Sequence, residues 1–188
     1  MRCFIAIDVD EKIRSALSDL QKQLQAGVNI KKTDVKWVNP EAIHLTLKFL
    51  GEVRDERVVS VCNIVEDVAS QHNSFELDIQ SVGYFGGRTA RVLWVGTGAG
   101  SENLGQLVKD LQEQLFLAGW SKEKRSFAGH LTLCRIRSSK AAIKLAQASE
   151  NYKDFKLGVT SADSVSVYQS QLTPAGPVYI KLGSYQLQ

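Results

Sequence analysis

The four residues His-Leu-Thr-Leu occur twice in this chain, at positions 44–47 and 130–133, and this repeat constrains the fold more than any other feature. In an extended strand, alternate side chains point to opposite faces. The histidine and the threonine therefore share one face, while the two leucines share the other and can anchor the strand in a core. Two such strands, a little under half the chain apart, predict a duplicated unit that places two His/Thr pairs across one cleft.

Size and charge are those of an ordinary globular protein. The chain has 188 residues, enough for one domain or for two small lobes packed as one unit. Its net charge of +3 and pI near 8.7 suit an anionic ligand in a local basic cleft, but they do not demand a long nucleic-acid track. No apolar run approaches the ~20 residues of a membrane span, and the amino terminus is charged too soon for a signal peptide. We expect a cytoplasmic monomer.

The sequence offers no obvious metal or cofactor site. Cys3, Cys62 and Cys134 are scattered and lack metal-type spacing, so we expect buried small hydrophobic residues in a reducing compartment. There is no HExxH motif and no aspartate cluster, and the glycine-rich stretch 83–87 lacks the Lys-Ser/Thr ending of a phosphate-binding loop. The sequence therefore predicts chemistry without a metal or a nucleotide cofactor.

Hydrophobic periodicity predicts helices alternating with strands along the whole chain. The predicted helices span about residues 10–27, 55–70, 101–118 and 140–149, with Asp10 and Gly119 as end caps. The predicted strands span about residues 2–9, 35–38, 43–51, 75–84, 89–96, 129–136, 155–169 and 177–187, with turns at Gly86-Gly87 and 173–177. The connections are too short to be all parallel crossovers. We predict an α+β fold over residues 1–188: two similar lobes with mainly antiparallel sheets around a central cleft, and helices packed outside.

The two His/Thr pairs suit displacement at phosphorus. An unperturbed histidine titrates near pH 6.5, so one imidazole can take a proton from the attacking oxygen while the other protonates the leaving oxygen. This gives His44 and His130 the acid–base roles. The hydroxyls of Thr46 and Thr132 can donate hydrogen bonds to the non-bridging phosphate oxygens. The third histidine, His72, follows a predicted helix and is expected to be a solvated surface residue.

These motifs resemble the two HxTx motifs of the two-histidine phosphoesterases, and specifically the RNA 2′,3′-cyclic phosphodiesterase (2′-5′ RNA ligase-like) family. The similarity covers nearly the whole chain. It is carried by MRCFIAID, VKWVNPEAIHLTLKFLGEV, RVLWVG, FAGHLTLCRIR and YQSQLTPAGPVYIKL. The resemblance implies a bilobal α+β fold with a pseudo-twofold cleft.

The resemblance also implies an activity: metal-independent hydrolysis of RNA 2′,3′-cyclic phosphate ends to 2′-phosphomonoesters, with reversible 2′-5′ joining in some members. One histidine activates water and the other protonates the departing 3′-oxygen; our interpretation favours His130 as base and His44 as acid, although the sequence does not decide between them. The partners implied are RNA or oligonucleotide ends, with no cofactor and no obligate protein partner. Two alternatives stay open, a phosphodiesterase for another cyclic or 2′-5′-linked nucleotide and a non-catalytic RNA-binding module.

Two further positions match family residues near the substrate, Phe49 and Arg135. An arginine can fork onto phosphate or stack on a base, and a phenylalanine can stack on a base. Strict alternation places both on the face opposite their histidines, so each needs a bulge or a strand end to re-aim it. Lys48 should share the face of His44 and add positive charge there. Gly129 stands where the family usually has proline, which should loosen the entry to the second motif.

Overall fold

The computed structural model describes residues 1–86, 90–174 and 176–188. The helices are α1 (Glu11–Gly27), α2 (Asp55–Ala69), α3 (Ser101–Leu117) and α4 (Ser139–Ser149). The strands are β1 (Arg2–Asp8), β2 (Val35–Trp37), β3 (His44–Glu52), β4 (Phe75–Phe85), β5 (Val92–Thr97), β6 (His130–Ile136), β7 (Lys156–Ala162), β8 (Ser164–Thr173) and β9 (Gly176–Gln186). None of the helices in these ranges is long and apolar enough to cross a membrane.

The strands form two antiparallel sheets. The first sheet has the order β3-β1-β8-β9 and the second the order β2-β6-β5-β4-β7. Helix α2 packs on β8 and β9, whereas α1 and α4 pack on the second sheet and on each other. Each His/Thr strand buries its leucines in the core between sheets and helices. The predicted α+β fold with mainly antiparallel sheets is confirmed.

The helix ends follow the predicted chemistry. The side chain of Asp10 accepts a hydrogen bond from the backbone N–H of Ile13 at 3.0 Å, as an N-cap residue does. Gly119 adopts a left-handed φ of +94° after α3, and its N–H donates to the carbonyl of Phe116 at 2.9 Å. Both predicted caps are confirmed.

The prediction of a single strand over residues 155–169 is wrong. The segment forms two strands in different sheets, since β7 pairs with β4 and β8 pairs with β1. Asp163 lies between them; its carboxylate accepts from Ser161 Oγ at 2.6 Å and its carbonyl from the N–H of Leu187 at 2.8 Å. A continuous strand-like pattern does not show where a chain passes from one sheet to another. The turns predicted at Gly86-Gly87 and 173–177 fall partly outside the described residues.

Two predictions about single side chains also need correction. His72 is not solvated, because its Nε2 lies 3.0 Å from the carboxylate of Asp110 and only 16% of its side chain is exposed. It links the end of α2 to α3 through a partner far away in the sequence. Cys3 and Cys134 are buried as predicted, but Cys62 is only half-buried.

Candidate active site

Strand β3 contains a β-bulge. Its register against β1 slips by one residue at Leu47. A bulge adds one residue to one strand, so that the side chains after it change faces. Leu47 and Lys48 are consequently both buried, and Phe49 returns to the face of His44 and Thr46 with 60% of its surface exposed. The bulge required to bring Phe49 to the histidine face is present.

Strand β6 contains the same bulge at the equivalent place. Its register against β5 slips at Leu133, so Leu133 and Cys134 are both buried. Arg135 is exposed on the face that carries His130 and Thr132. Both halves of the molecule therefore use one bulge to place a further side chain beside the His/Thr pair.

Lys48 does not lie beside His44, contrary to the expectation from strict alternation. Only 6% of its surface is exposed, and its ammonium group donates to the carbonyl of Ser121 at 2.9 Å. The same group lies 3.4 Å from the carboxylate of Glu123. The bulge that exposes Phe49 turns Lys48 inward, where it holds the segment preceding β6 against β3.

Both imidazoles are held by the same hydrogen bond. Nδ1 of His44 lies 3.0 Å from the carbonyl oxygen of Ala42, and Nδ1 of His130 lies 2.7 Å from that of Ala128. A carbonyl oxygen only accepts, so Nδ1 carries the donated proton in each ring. The lone pair of each neutral imidazole is therefore on Nε2, and this nitrogen is left for chemistry.

Aromatic rings surround His44. Phe4 stacks on it with ring centroids 4.6 Å apart, and Tyr179 meets it edge-on at 5.1 Å. Burial lowers the pKa of His44 to about 4, against the smaller upward effects of the Ala42 carbonyl and the charge of Asp8. In the free protein His44 is therefore neutral at pH 7.

The carboxylate of Asp8, on the neighbouring strand β1, lies beside His44. Asp8 lies opposite His44 in the β1–β3 register, and its carboxylate accepts from the Tyr168 hydroxyl at 2.6 Å and from the Lys181 ammonium at 2.8 Å. Burial alone would raise the pKa of Asp8, but the hydrogen bonds from Lys181 and Tyr168 outweigh it and hold this pKa below its usual value. Asp8 thus stays negatively charged beside His44, and the Lys181 ammonium balances this charge.

His130 has different neighbours. Phe85 meets it edge-on at 4.8 Å, and Trp94 lies with its ring centroid 6.3 Å away. The indole of Trp94 covers two glycines: a Cβ on Gly83 would come within 2.4 Å of it, and one on Gly96 within 3.1 Å. Gly96 is also the residue opposite His130 in the β5–β6 register, where the other motif has Asp8.

The strands that carry the two His/Thr pairs lie close together in the fold. Strands β3 and β6 contact each other, and Tyr179, which touches His44, is close enough to feel the charge of Arg135 on β6. Burial raises the pKa of the Tyr179 phenol, and Arg135 opposes this. Lys36, opposite Arg135 on β2, has its ammonium group 3.9 Å from where a Cβ of Gly176 would stand. The start of β9 thus reaches β2, the strand of the second sheet that pairs with the His130 strand.

Close packing around residue 129 explains why a glycine stands at this position. A Cβ at this position would come within 2.8 Å of Leu104 Cδ2 and 2.9 Å of Thr97 Oγ1. Real Cβ atoms do not approach that closely, so Leu104 or Thr97 would have to move. The glycine fits a tight contact with α3, which the sequence alone did not reveal.

The structure places six predicted residues on the two histidine-bearing faces: His44, His130, Thr46, Thr132, Phe49 and Arg135. It also adds residues that the sequence reasoning missed: Phe4, Asp8, Phe85, Trp94, Tyr168, Tyr179 and Lys181. Their positions depend on strand pairing between distant segments, which no local signal gives. Over residues 1–86, 90–174 and 176–188, no group of three or more His, Cys, Asp or Glu side chains could hold a metal ion.

Two antiparallel sheets, each with one His-x-Thr strand, are the arrangement that the resemblance to the two-histidine phosphoesterases implies. The family described as "LigT like Phosphoesterase" matches the chain twice, over residues 7–94 and 95–179. The chain belongs to this family, and the resemblance seen in the sequence is confirmed.

Individual relatives and solved structures are similar to this chain over nearly its whole length. An RNA 2′,3′-cyclic phosphodiesterase of Methanothermobacter thermautotrophicus is 32% identical over 188 residues, covering 100% of this chain and 99% of the relative. A second protein of that name, from Methanocaldococcus jannaschii, is 34% identical over 180 residues, 95% of this chain and 96% of the relative. The crystal structure of E. coli LigT complexed with 3′-AMP superposes with a TM-score of 0.80 at 25% identity, over 99% of this chain and 97% of that one. A protein of Thermus thermophilus superposes with a TM-score of 0.72 at 27% identity, over 100% of this chain and 98% of that one.

Proposed function

We propose that this chain hydrolyses RNA 2′,3′-cyclic phosphate ends to 2′-phosphomonoesters, with His44 and His130 as a general acid–base pair that needs no metal. The relatives named RNA 2′,3′-cyclic phosphodiesterase cover essentially the whole chain. The observation that carries the mechanism is the matched anchoring of the two imidazoles. Each imidazole donates a hydrogen bond from its Nδ1–H to the backbone carbonyl two residues earlier, which leaves Nε2 for the substrate.

The reaction requires one proton to be taken and one to be given. Nε2 of the basic histidine removes a proton from water as the water oxygen bonds to phosphorus. The bond between phosphorus and the 3′-oxygen breaks, and the other imidazolium delivers its proton to that oxygen. The products are a 2′-phosphate and a free 3′-hydroxyl. A 5′-hydroxyl of RNA in place of water would give a 2′-5′ linkage by the same steps, so joining is a secondary activity of the same site.

The two threonines stabilise the negative charge on the phosphate oxygens during the reaction. Thr46 and Thr132 are half-buried on the histidine faces, and neither hydroxyl has a hydrogen-bond partner in the described parts of the chain. Each can donate to a non-bridging oxygen, where negative charge is concentrated in the transition state. Arg135 adds a guanidinium on the same side, suited to phosphate or to the face of a base.

The assignment of the acid and base roles keeps the interpretation favoured from the sequence, and it places a requirement on the protonation of His44. We assign His130 as base and His44 as acid. Because burial lowers the pKa of His44 to about 4, this acid must take up its proton as the phosphate anion binds beside it. The exposed ring of Phe49, 6.1 Å from Phe4, provides a surface for stacking the terminal base.

The test is hydrolysis of an RNA oligonucleotide with a 2′,3′-cyclic phosphate end in the presence of EDTA. His44→Ala and His130→Ala should each lower kcat/KM by at least ~10²-fold, the usual contribution of an acid or base. His72→Gln, the third histidine, should remain active and serves as the control. A 3′-phosphate product, or full activity in either active-site variant, would contradict the proposal.

The same assay assigns the roles when sulfur replaces the 3′-oxygen of the cyclic phosphate. A thiolate leaves without protonation, so only the variant that lacks the acid regains activity. Recovery in His44→Ala supports the assignment made above, whereas recovery in His130→Ala reverses it.

A further inference from the structure

We infer that a second nucleotide of the RNA, the one immediately 5′ of the cyclic nucleotide, binds in a pocket between α3 and the start of β6. We call this the α3 pocket. Its volume is about 570 Å³, and its lining includes Trp94, Thr97, Ser101, Gly105 and Gly129. The inference rests on the proposed function, because it concerns the substrate of the same cleft.

The α3 pocket adjoins the catalytic histidine. Ala128 and Gly129 line it, and the next residue is His130, whose Nδ1 bonds to the Ala128 carbonyl. Trp94, on the opposite wall, pairs with Thr132 in the β5–β6 register. A nucleotide in the α3 pocket would therefore lie near a phosphate held between the histidines, with the terminal ribose between the two.

The lining of the α3 pocket suits a base and a sugar rather than a phosphate. All its lining residues among those the structure describes are uncharged. The Trp94 indole gives an aromatic wall on which a base can stack, a contact that tolerates any sequence. Ser101 Oγ donates to Thr97 Oγ1 at 2.8 Å, and these two hydroxyls together with the Gln80 amide offer polar groups to a ribose.

A basic groove continues from the α3 pocket. This second cavity, of about 380 Å³, shares Gly105 and Phe127 with the pocket. Its wall carries Lys109, Lys122 and Arg125, with Glu113 as the acidic member. An uncharged pocket followed by cations matches the order of a nucleoside followed by a phosphate along single-stranded RNA.

The covalent structure of the RNA indicates which nucleotide would bind in the α3 pocket. In hydrolysis, the RNA continues from its terminal cyclic nucleotide only in the 5′ direction. The nucleotide on that side is joined through the 5′-oxygen of the terminal ribose, so it must lie within one nucleotide's length of the histidines. The α3 pocket and its basic groove give that strand a path with the required chemistry.

Gly105 allows a sharp test. A Cβ at this position would meet nothing within 4 Å, and Gly105 lines the α3 pocket, so the ring of Gly105→Phe is expected to occupy space in it. Gly27→Phe is the matched control, because Gly27 is also a helical glycine in open space and lies on α1. Each variant is assayed with a nucleoside 2′,3′-cyclic phosphate and with an RNA trinucleotide ending in a 2′,3′-cyclic phosphate.

Wild-type protein and Gly27→Phe should prefer the trinucleotide in kcat/KM by about tenfold, the size of one base-stacking contact. Gly105→Phe should lose that preference. Equal loss on both substrates, or an undiminished preference in Gly105→Phe, would overturn the inference.

If wild-type protein hydrolyses neither substrate, the proposed function fails, but the α3 pocket is still tested by binding. Fluorescence anisotropy of a labelled trinucleotide with a 2′-phosphate end should then show about tenfold weaker binding to Gly105→Phe than to Gly27→Phe, again the size of one stacking contact. Equal affinities would overturn the inference independently of catalysis.

Discussion

Burial against Phe4 and Tyr179 gives His44 a protonation behaviour that affects stability as well as chemistry. An unfolded chain binds a proton at histidine near pH 6.5, whereas the folded protein does so only near pH 4. Between these values the unfolded state binds more protons, so the free energy of unfolding falls as the pH falls. The free energy of unfolding decreases by up to about 1.4 kcal/mol for each pH unit.

Replacing His44 by glutamine removes this dependence. We predict that the stability advantage of wild-type protein over His44→Gln shrinks by about 3 kcal/mol from pH 7 to pH 4. Urea unfolding at several pH values measures it, and Thr46→Val, which keeps the imidazole, should follow the wild-type curve. A difference that does not change with pH would show that His44 is not desolvated.

At the scale of the strand, the bulge is the element that makes the site. It puts two consecutive residues, Leu47 and Lys48, into the core, and it brings Phe49 back to the histidine face. The sequence showed that Phe49 needed such a device, since alternation put it on the wrong side. It could not show that Lys48 would become buried as a result, because the partners of Lys48 lie beyond α3.

The approach of α3 to the start of β6 gives a prediction for Gly129. Gly129→Pro should lower the free energy of unfolding by about 1–3 kcal/mol, since the added ring overpacks against Leu104. In a Leu104→Ala background the same substitution should cost less, because the clashing methyl groups are gone. Thermal or urea unfolding of the four proteins measures this, and equal costs in both backgrounds would contradict the steric account.

Features that depend on neighbouring residues were predicted from the sequence, whereas features that depend on distant segments were missed. Leucine alternation, the Asp10 cap and the Gly119 cap depend on neighbours in the sequence, and all three were predicted correctly. The passage between sheets at Asp163 and the pairing of His72 with Asp110 depend on distant segments, and both were missed. The surroundings of the two histidines belong to the second kind.

At the scale of the whole molecule, each of the two sheets combines strands from both halves of the chain. The family pattern matches residues 7–94 and 95–179, and β1 with β3 corresponds to β5 with β6. Yet the first sheet is completed by β8 and β9 from the end of the chain. The strand that carries His44 is therefore braced by C-terminal residues, which is why Tyr168, Tyr179 and Lys181 surround it. The similarity of the halves was visible in the sequence, but this combination of strands was not.

In the proposed mechanism, the imidazoles of His44 and His130 both act on one phosphate group. Protein with 15N-labelled histidine can be titrated with a nucleoside 2′-monophosphate while the ring-nitrogen resonances of His44 and His130 are followed by NMR. We predict that Nε2 of both rings responds with one common Kd and a stoichiometry of one ligand per chain. A response from only one histidine, or two separate Kd values, would contradict the account.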